Sequence, residues 1–337
     1  MTQQSVDPTR RLTPVVRLAP AKLNLSLAVV GRRADGYHEL HSVMVPLELA
    51  DRLSLAPAAG AADTLHVDGF EAGPNVDNLV LHALAGIREA VGVGWAGSSG
   101  PPPPLAARLD KRIPAAAGLA GGSSDAAAMI DGALEAWGAT LTIHERLRLA
   151  ALLGSDVPFF LAGGTALVEG RGETVTPLRG ILGDPPGVLL VTPRLAVHTP
   201  EVFAAYDAGP RAGAGAVRTS SIHLADELRT GLTARALVDR AGVLAVANDL
   251  VAAAATVEPG LIGLRRALSR RLGRPVGQSG SGPTLWVVYA SREEAVAAAD
   301  EIRTAIAGGE VQSPGDGEPF IAATTIAARA APDRSDR

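Results

Sequence analysis

PAAAGLAGGSSDAAAMIDGALEAW, Pro114 to Trp137, is the stretch that decides the fold. Lys111 and Arg112 end a basic strand that runs into glycines at 118, 121 and 122. Ser123, Ser124 and Asp125 follow, then an alanine-rich segment whose apolar period predicts a helix over Asp125 to Trp137. Glycine lets the backbone come close to a ligand and adopt positive φ. A helix start aims free N–H groups and the positive end of its dipole at one spot, which suits a phosphate. Ser123 and Ser124 add hydroxyls for the phosphate or its magnesium. An ordinary capped helix would use the same serines as N-caps, with Asp125 in the first turn. Three clustered glycines exceed what a cap requires, so the anion site is the better reading.

The common nucleotide fingerprints are missing. There is no GxxxxGK[ST], and the one GxGxxG match, Gly92 to Gly97, follows a helix instead of joining strand to helix. Protein-kinase signatures are absent as well. Phosphate chemistry on this chain must use another architecture.

Working outward, Lys22 and Lys111 are the chain's lysines. Lys22 opens KLNLSLAVV, where Leu23, Leu25, Leu27 and Val29 alternate with Lys22, Asn24 and Ser26. The pattern alone reads as a sheet with one wet face, or as an ammonium and an amide projecting together from a rigid element. Asp156, in GSDVPFFLAGG, reads either as an N-cap or as a general base held by apolar neighbours and paired with a cation such as Lys22. In ADGYHELH, residues 34–41, His38 and His41 lack a third ligand, which argues against zinc. Tyr37, beside the Asp35-Gly36 turn, either stacks on a flat ring or packs at the surface. QSGSGP, 278–283, is a hairpin turn or a second backbone nest for an anion.

Composition bounds the class. The 337 residues are 47% hydrophobic and 20% charged, too apolar for general disorder and enough for one large or two ordinary domains. A net charge of −4 offers no basic field for nucleic acid or anionic lipid. Cysteine is absent, excluding disulfides and thiolate chemistry. MTQQSVDPTRR has no secretory h-region, and the best apolar run, Val243 to Val257, is interrupted by Asn248 and Asp249. A soluble, cytoplasmic protein is expected.

Strands are expected at Val15 to Ala19, Lys22 to Val30, Val43 to Leu49, Leu105 to Asp110, Val188 to Val191 and Leu285 to Tyr289. A further helix is expected at Asn78 to Val91. Their irregular alternation indicates an α+β fold. GSSGPPPP at 97–104 reads as a stiff loop, and GPRAGAGAVR at 209–218 as a surface loop. ILGDPPG at 181–187 is the best domain boundary. The expected organisation is a flexible arm at 1–13, an N-terminal ATP-binding lobe at 14–185, a C-terminal lobe at 186–326 and a flexible tail at 327–337.

In order, AKLNL at 21–25, PAAAGLAGGSSD at 114–125 and QSGSGPTLW at 278–286 resemble the three motifs of the GHMP kinases, small-molecule kinases of the galactose, homoserine and mevalonate type. The resemblance spans about residues 14 to 325. AKLNLSLAVVGRRADGYHEL, GSDVPFFLAGGTALVEGRGE and HTPEVF (198–203) are most similar to the branch that phosphorylates cytidine diphosphate-linked methylerythritol in the non-mevalonate isoprenoid route. This implies a two-lobed α+β architecture, with the active site in the cleft between lobes. It also implies ATP-dependent phosphorylation of the substrate's 2-hydroxyl, with Mg2+ carried by the ATP phosphates and Ser123 or Ser124. By the same resemblance Lys22 and Asp156 stand at the catalytic positions, and Asn24 would help orient the acceptor. Tyr37 and Phe203 would sandwich the cytosine, with His38 reading its polar edge. Lys111, Pro114, Gly118, Leu119, Ala120, Gly121, Gly122, Ser123 and Ser124 would form the ATP site, and Ser279, Gly280, Ser281 and Gly282 the supporting turn. The chain departs from the family where Ala120 replaces a frequent glycine, which makes the loop less pliable, and where Asp125 replaces a frequent asparagine. Asp125 is tolerable near phosphates if it caps the helix or reaches magnesium. A homoserine or mevalonate type of kinase, or a catalytically silent relative, are the alternatives.

Overall fold

The computed structural model describes residues 14–71, 77–94, 101–209 and 215–327. The arm at 1–13, most of the tail at 327–337, the centre of the 209–218 loop and the start of the proline loop lie outside the described residues.

The chain begins with β1 (Val15–Arg32), β2 (His38–Pro57), β3 (Thr64–Gly69), α1 (Leu79–Gly94) and β4 (Leu105–Lys111). Next come α2 (Gly121–Trp137), α3 (Ile143–Leu153), α4 (Val157–Ala162), β5 (Ala166–Gly170), β6 (Thr174–Pro177) and β7 (Ile181–Leu182). β8 (Gly187–Thr192), α5 (Thr199–Ala208), α6 (Ala216–Thr230), β9 (Leu232–Thr233), α7 (Ala234–Asp239) and α8 (Ala241–Leu244) follow. The chain continues through α9 (Val251–Val257), α10 (Gly260–Leu272), β10 (Gly277–Gln278), β11 (Leu285–Tyr289), α11 (Arg292–Ala307) and β12 (Phe320–Thr325).

The described residues form two compact units. The first takes those within 14–21, 50–115 and 120–161; the second those within 22–49, 116–119 and 162–327. The units interleave along the chain because β1 and β2, of 18 and 20 residues, are long enough to leave one and enter the other. The 181–187 break lies within the second unit, where it holds β7 and the first residue of β8.

In the first unit the C-terminal half of β2 pairs antiparallel with β4, from Arg52↔Asp110 to Pro57↔Leu105, and β3 runs parallel to β4. Alternation in β4 turns Leu105, Ala107 and Leu109 into the core, and the same register buries Lys111 at the strand end. Against them pack Leu53, Leu55, Leu84, Ile87, Met129, Ile130 and Trp137. A Cβ at Gly132 would stand 2.8 Å from the Leu55 side chain, so the absent side chain lets α2 approach the strand closely.

In the second unit the N-terminal half of β2 pairs antiparallel with β5, from Leu40↔Gly170 to Met44↔Ala166. A separate antiparallel sheet has the order β10-β11-β8-β12. Every residue of β8 and β11 is buried, as their unbroken apolar runs require. The expectation of a wet face on the Lys22 strand is corrected here. Residues 21–28 are buried throughout, with Lys22 4%, Asn24 2% and Ser26 1% exposed.

Candidate active site

The polar residues of β1 converge on a glycine turn of the second unit. Lys22 Nζ donates to Asn24 Oδ1 at 2.6 Å and to the Gly118 carbonyl at 2.9 Å. The Ser279 hydroxyl donates to that same carbonyl at 2.9 Å. Gln278 pairs with Leu285 across β10 and β11, so 278–283 is indeed a hairpin connection, with φ +57° at Gly280 and +89° at Gly282. Gly118 has φ +75°, and a Cβ there would lie 2.5 Å from the Ser279 carbonyl oxygen and 2.8 Å from that of Gly282. Only glycine permits this approach. The early lysine, the middle of the glycine loop and the late turn, far apart in sequence, thus meet in one hydrogen-bonded cluster. The Leu119 carbonyl accepts from the Lys22 backbone N–H at 3.0 Å, and Ser281 Oγ lies 2.9 Å from Thr199 Oγ1.

Asn248 belongs to this cluster and was missed among the site residues. Its Nδ2 donates to the carbonyls of Gln278, at 3.0 Å, and Gly280, at 2.9 Å, fixing the turn from behind. The signal was an amide in the middle of the apolar Val243 to Val257 run, where a buried polar side chain must have partners.

In the first unit, the phosphate-type loop enters α2 through Ala120, whose φ of +54° and ψ of +34° are left-handed. The helix starts at Gly121, and Ala120 makes no side-chain cap. This corrects the N-cap reading: Ser123 and Ser124 are the third and fourth helical residues. The N–H groups of Gly121, Gly122 and Ser123 have no acceptor within the helix. Ser124 Oγ is buried without a hydrogen-bond partner, while its backbone N–H reaches the Ala120 carbonyl at 3.0 Å. Pro114 is half-buried before the loop, and Asp156 lies half-buried immediately ahead of α4.

Lys111, expected at the ATP loop, is buried against its last turn, where a Cβ at Gly121 would stand 3.1 Å from Lys111 Nζ. Its ammonium is buried between Asp125 Oδ2, at 2.7 Å, and Asp51 Oδ2. Asp51 also accepts the Ile113 backbone N–H at 2.8 Å, tying the loop's root to β2. Asp125 therefore neither caps α2 nor faces outward. Burial pushes its carboxyl up to about 7 despite Lys111, and its Oδ1 has no partner. Burial opposes the charge on Lys111, but the fields of Asp125 and Asp51 outweigh it and hold its pKa above the ordinary value.

A ring cluster lies at the start of β2. The His38 and Phe203 rings stack with centroids 4.6 Å apart, and His38 Nε2 is 2.9 Å from Asp207 Oδ1. Tyr37 is 51% exposed, with the Arg171 guanidinium 5.3 Å from its ring centre. Phe203 thus meets His38 face to face. His41 does not join His38 but turns its Nδ1 to Ser221 Oγ, 2.9 Å away. Among the described residues no three His, Cys, Asp or Glu side chains gather as a metal site, and no helix is long and apolar enough to cross a membrane.

Residues 78–164 match the GHMP kinase N-terminal domain. The 4-diphosphocytidyl-2-C-methyl-D-erythritol kinase of Pelotomaculum thermopropionicum is 37% identical over 283 residues, covering 83% of this chain and 91% of the relative. That of Heliobacterium modesticaldum is 39% identical over 303 residues, covering 84% and 90%. A crystal structure of 4-(cytidine 5'-diphospho)-2C-methyl-D-erythritol kinase superposes with a TM-score of 0.64 at 32% identity, over 92% of this chain and 99% of that one. The mevalonate kinase of Methanococcus jannaschii shares the fold, with a TM-score of 0.65 at 12% identity over 94% of this chain and all of the other. Coverage this complete, at identities this high, settles the family: the chain belongs to the GHMP kinases, within the 4-diphosphocytidyl-2-C-methyl-D-erythritol kinase family.

Proposed function

We propose that this chain transfers the γ-phosphoryl group of ATP to the 2-hydroxyl of 4-diphosphocytidyl-2-C-methyl-D-erythritol. The observation that carries this reading is the Lys22 ammonium, held by Asn24 and by the carbonyl of Gly118 in the glycine loop. Phosphoryl transfer through a loose transition state needs alignment and neutralised charge more than covalent help. The free N–H groups of Gly121, Gly122 and Ser123 and the dipole of α2 supply fixed positive potential for phosphate oxygens. The ammonium of Lys22 adds a full charge on a rigid strand. Asp156 accepts the proton of the acceptor hydroxyl; an alcohol is a very weak acid, so the proton moves late in the transfer.

Mg2+ fits the same loop. The buried, unpartnered Ser124 hydroxyl, with Ser123 beside it, offers oxygen ligands of the kind a hard cation takes. The ion would neutralise triphosphate charge there.

The ring cluster suits a cytosine. Tyr37 and Phe203 supply flat faces, and His38 is oriented by Asp207. Asp207 holds the Nε2 side of the ring, which leaves Nδ1 for the polar edge of the base. The test is a coupled ADP-release assay on purified protein with the diphosphocytidyl alcohol, homoserine and mevalonate as separate acceptors. Turnover with the first alone is expected. Turnover with another, or with none, overturns the reading.

A further inference from the structure

Behind Lys22 runs a chain of buried hydrogen bonds whose directions can be assigned. Ser42, on β2, is fully buried, and its Oγ donates to the Ser26 carbonyl at 2.6 Å. A hydroxyl has one proton, so toward any other partner Ser42 is an acceptor. That partner is Asn24, whose side-chain amide lies against Ser42 Oγ at 2.9 Å. Asn24 must therefore turn its NH2 to Ser42, and its carbonyl oxygen is left facing Lys22 Nζ at 2.6 Å. The reverse amide orientation would set an oxygen against a hydroxyl with no proton to give, and an NH2 against an ammonium. The near end of the chain is anchored too: Ser26 Oγ accepts the Val43 N–H at 3.2 Å and lies 2.7 Å from Ser221 Oγ, which bonds His41 Nδ1.

We propose that Ser42 is a positioning residue: by dictating the orientation of the Asn24 amide, it fixes the Lys22 ammonium at the Gly118 carbonyl. The inference rests on the catalytic reading of Lys22 given above, but its own geometry can be read without turnover. Lys22 and Lys111 are the only lysines, so protein labelled with 15N at lysine Nζ carries two ammonium groups to observe. Lys111, enclosed by Asp51 and Asp125, serves as the internal reference. A Lys22→Arg variant assigns the two signals.

In Ser42→Ala the Lys22 signal is expected to shift or to vanish through faster proton exchange, with the Lys111 signal unmoved. Ser42→Thr, which keeps the hydroxyl, is expected to retain the wild-type Lys22 signal. Should Ser42→Ala not fold, Ser42→Cys fills the same space with a much weaker hydrogen-bonding group and is expected to perturb Lys22 likewise. In turnover, Ser42→Ala is expected to lower kcat about tenfold or more, with both KM values within about twofold, since misplacement of a fixed group costs rate. That loss should disappear in an Asn24→Leu background, because residues acting through one another are not additive. An unmoved Lys22 signal in Ser42→Ala, or a full additional loss in the double variant, overturns the proposal. Absence of turnover in wild-type protein overturns the functional reading alone, because the ammonium signals still decide the role of Ser42.

Discussion

Replacing Asp125 by asparagine should stabilise the protein, and more so as the pH rises. The wild-type cluster holds one ammonium between two carboxylates, all buried, so full ionisation leaves a net negative charge away from water. The folded-state pKa of Asp125 is raised from 3.8 to about 7, with burial the largest cause and the Asp51 charge adding to it against Lys111. Between about pH 4 and 7 the folded chain holds a proton that the unfolded chain releases, so stability falls as the pH climbs through this window. At about 1.4 kcal/mol per pH unit the shift corresponds to roughly 4 kcal/mol. Water penetration and relaxation lower such penalties, so about 2–4 kcal/mol is expected. Lys111, with its pKa raised, loses its stabilising contribution only above the ordinary lysine range, outside this window. An asparagine still offers Lys111 an oxygen, leaving a neutral Lys111–Asp51 pair. Urea unfolding of both proteins at pH 5, 6, 7 and 8 should give curves that converge at acid pH and separate toward pH 8. Parallel curves, or a variant less stable at pH 8, would refute the reasoning.

Asp156→Ala and Lys22→Ala should each lower kcat at least about a hundredfold, the scale of a lost acid–base or charge-stabilising group; near-normal turnover in either removes that residue from its role. Tyr37→Ala should chiefly raise KM for the cytidine substrate and spare kcat, which steady-state kinetics would show; an unchanged KM removes the stacking role. Asn248→Ala strips a donor from two buried carbonyls and should destabilise the protein by about 2 kcal/mol or more, measured by denaturation. Gly118→Ala forces a side chain into left-handed backbone and against two carbonyls; it should abolish activity in any protein that still folds.

Local pattern carried the elements whose environment is uniform along their length. β11 falls at Leu285 to Tyr289 as expected, because an apolar run flanked by a glycine turn has few alternatives. β2 extends well beyond the expected Val43 to Leu49, since its outer parts are held by pairing with β4 and β5, which local residues do not encode. The start of α2 lies earlier than expected because Ala120, a poor candidate for positive φ, turns the chain three to four residues before the expected caps, Ser123 and Ser124. Lys22 was found as a rare lysine on an alternating strand, but the burial of both faces of that strand comes from tertiary packing and left no mark on its period. The role of Asp125 is not legible locally because it sits on α2 while Lys111 and Asp51, which share its cluster, lie on β4 and β2. Ser42 and Asn248 were passed over for the same reason: each works through partners distant in sequence.

Phosphorus NMR of the product formed from ATP and the diphosphocytidyl alcohol, carbon-labelled at C2, tests the proposed chemistry most directly. A new phosphomonoester signal coupled to the labelled carbon, in step with ADP, is the result expected. A phosphomonoester on another hydroxyl, or ADP released with no labelled product, would contradict it.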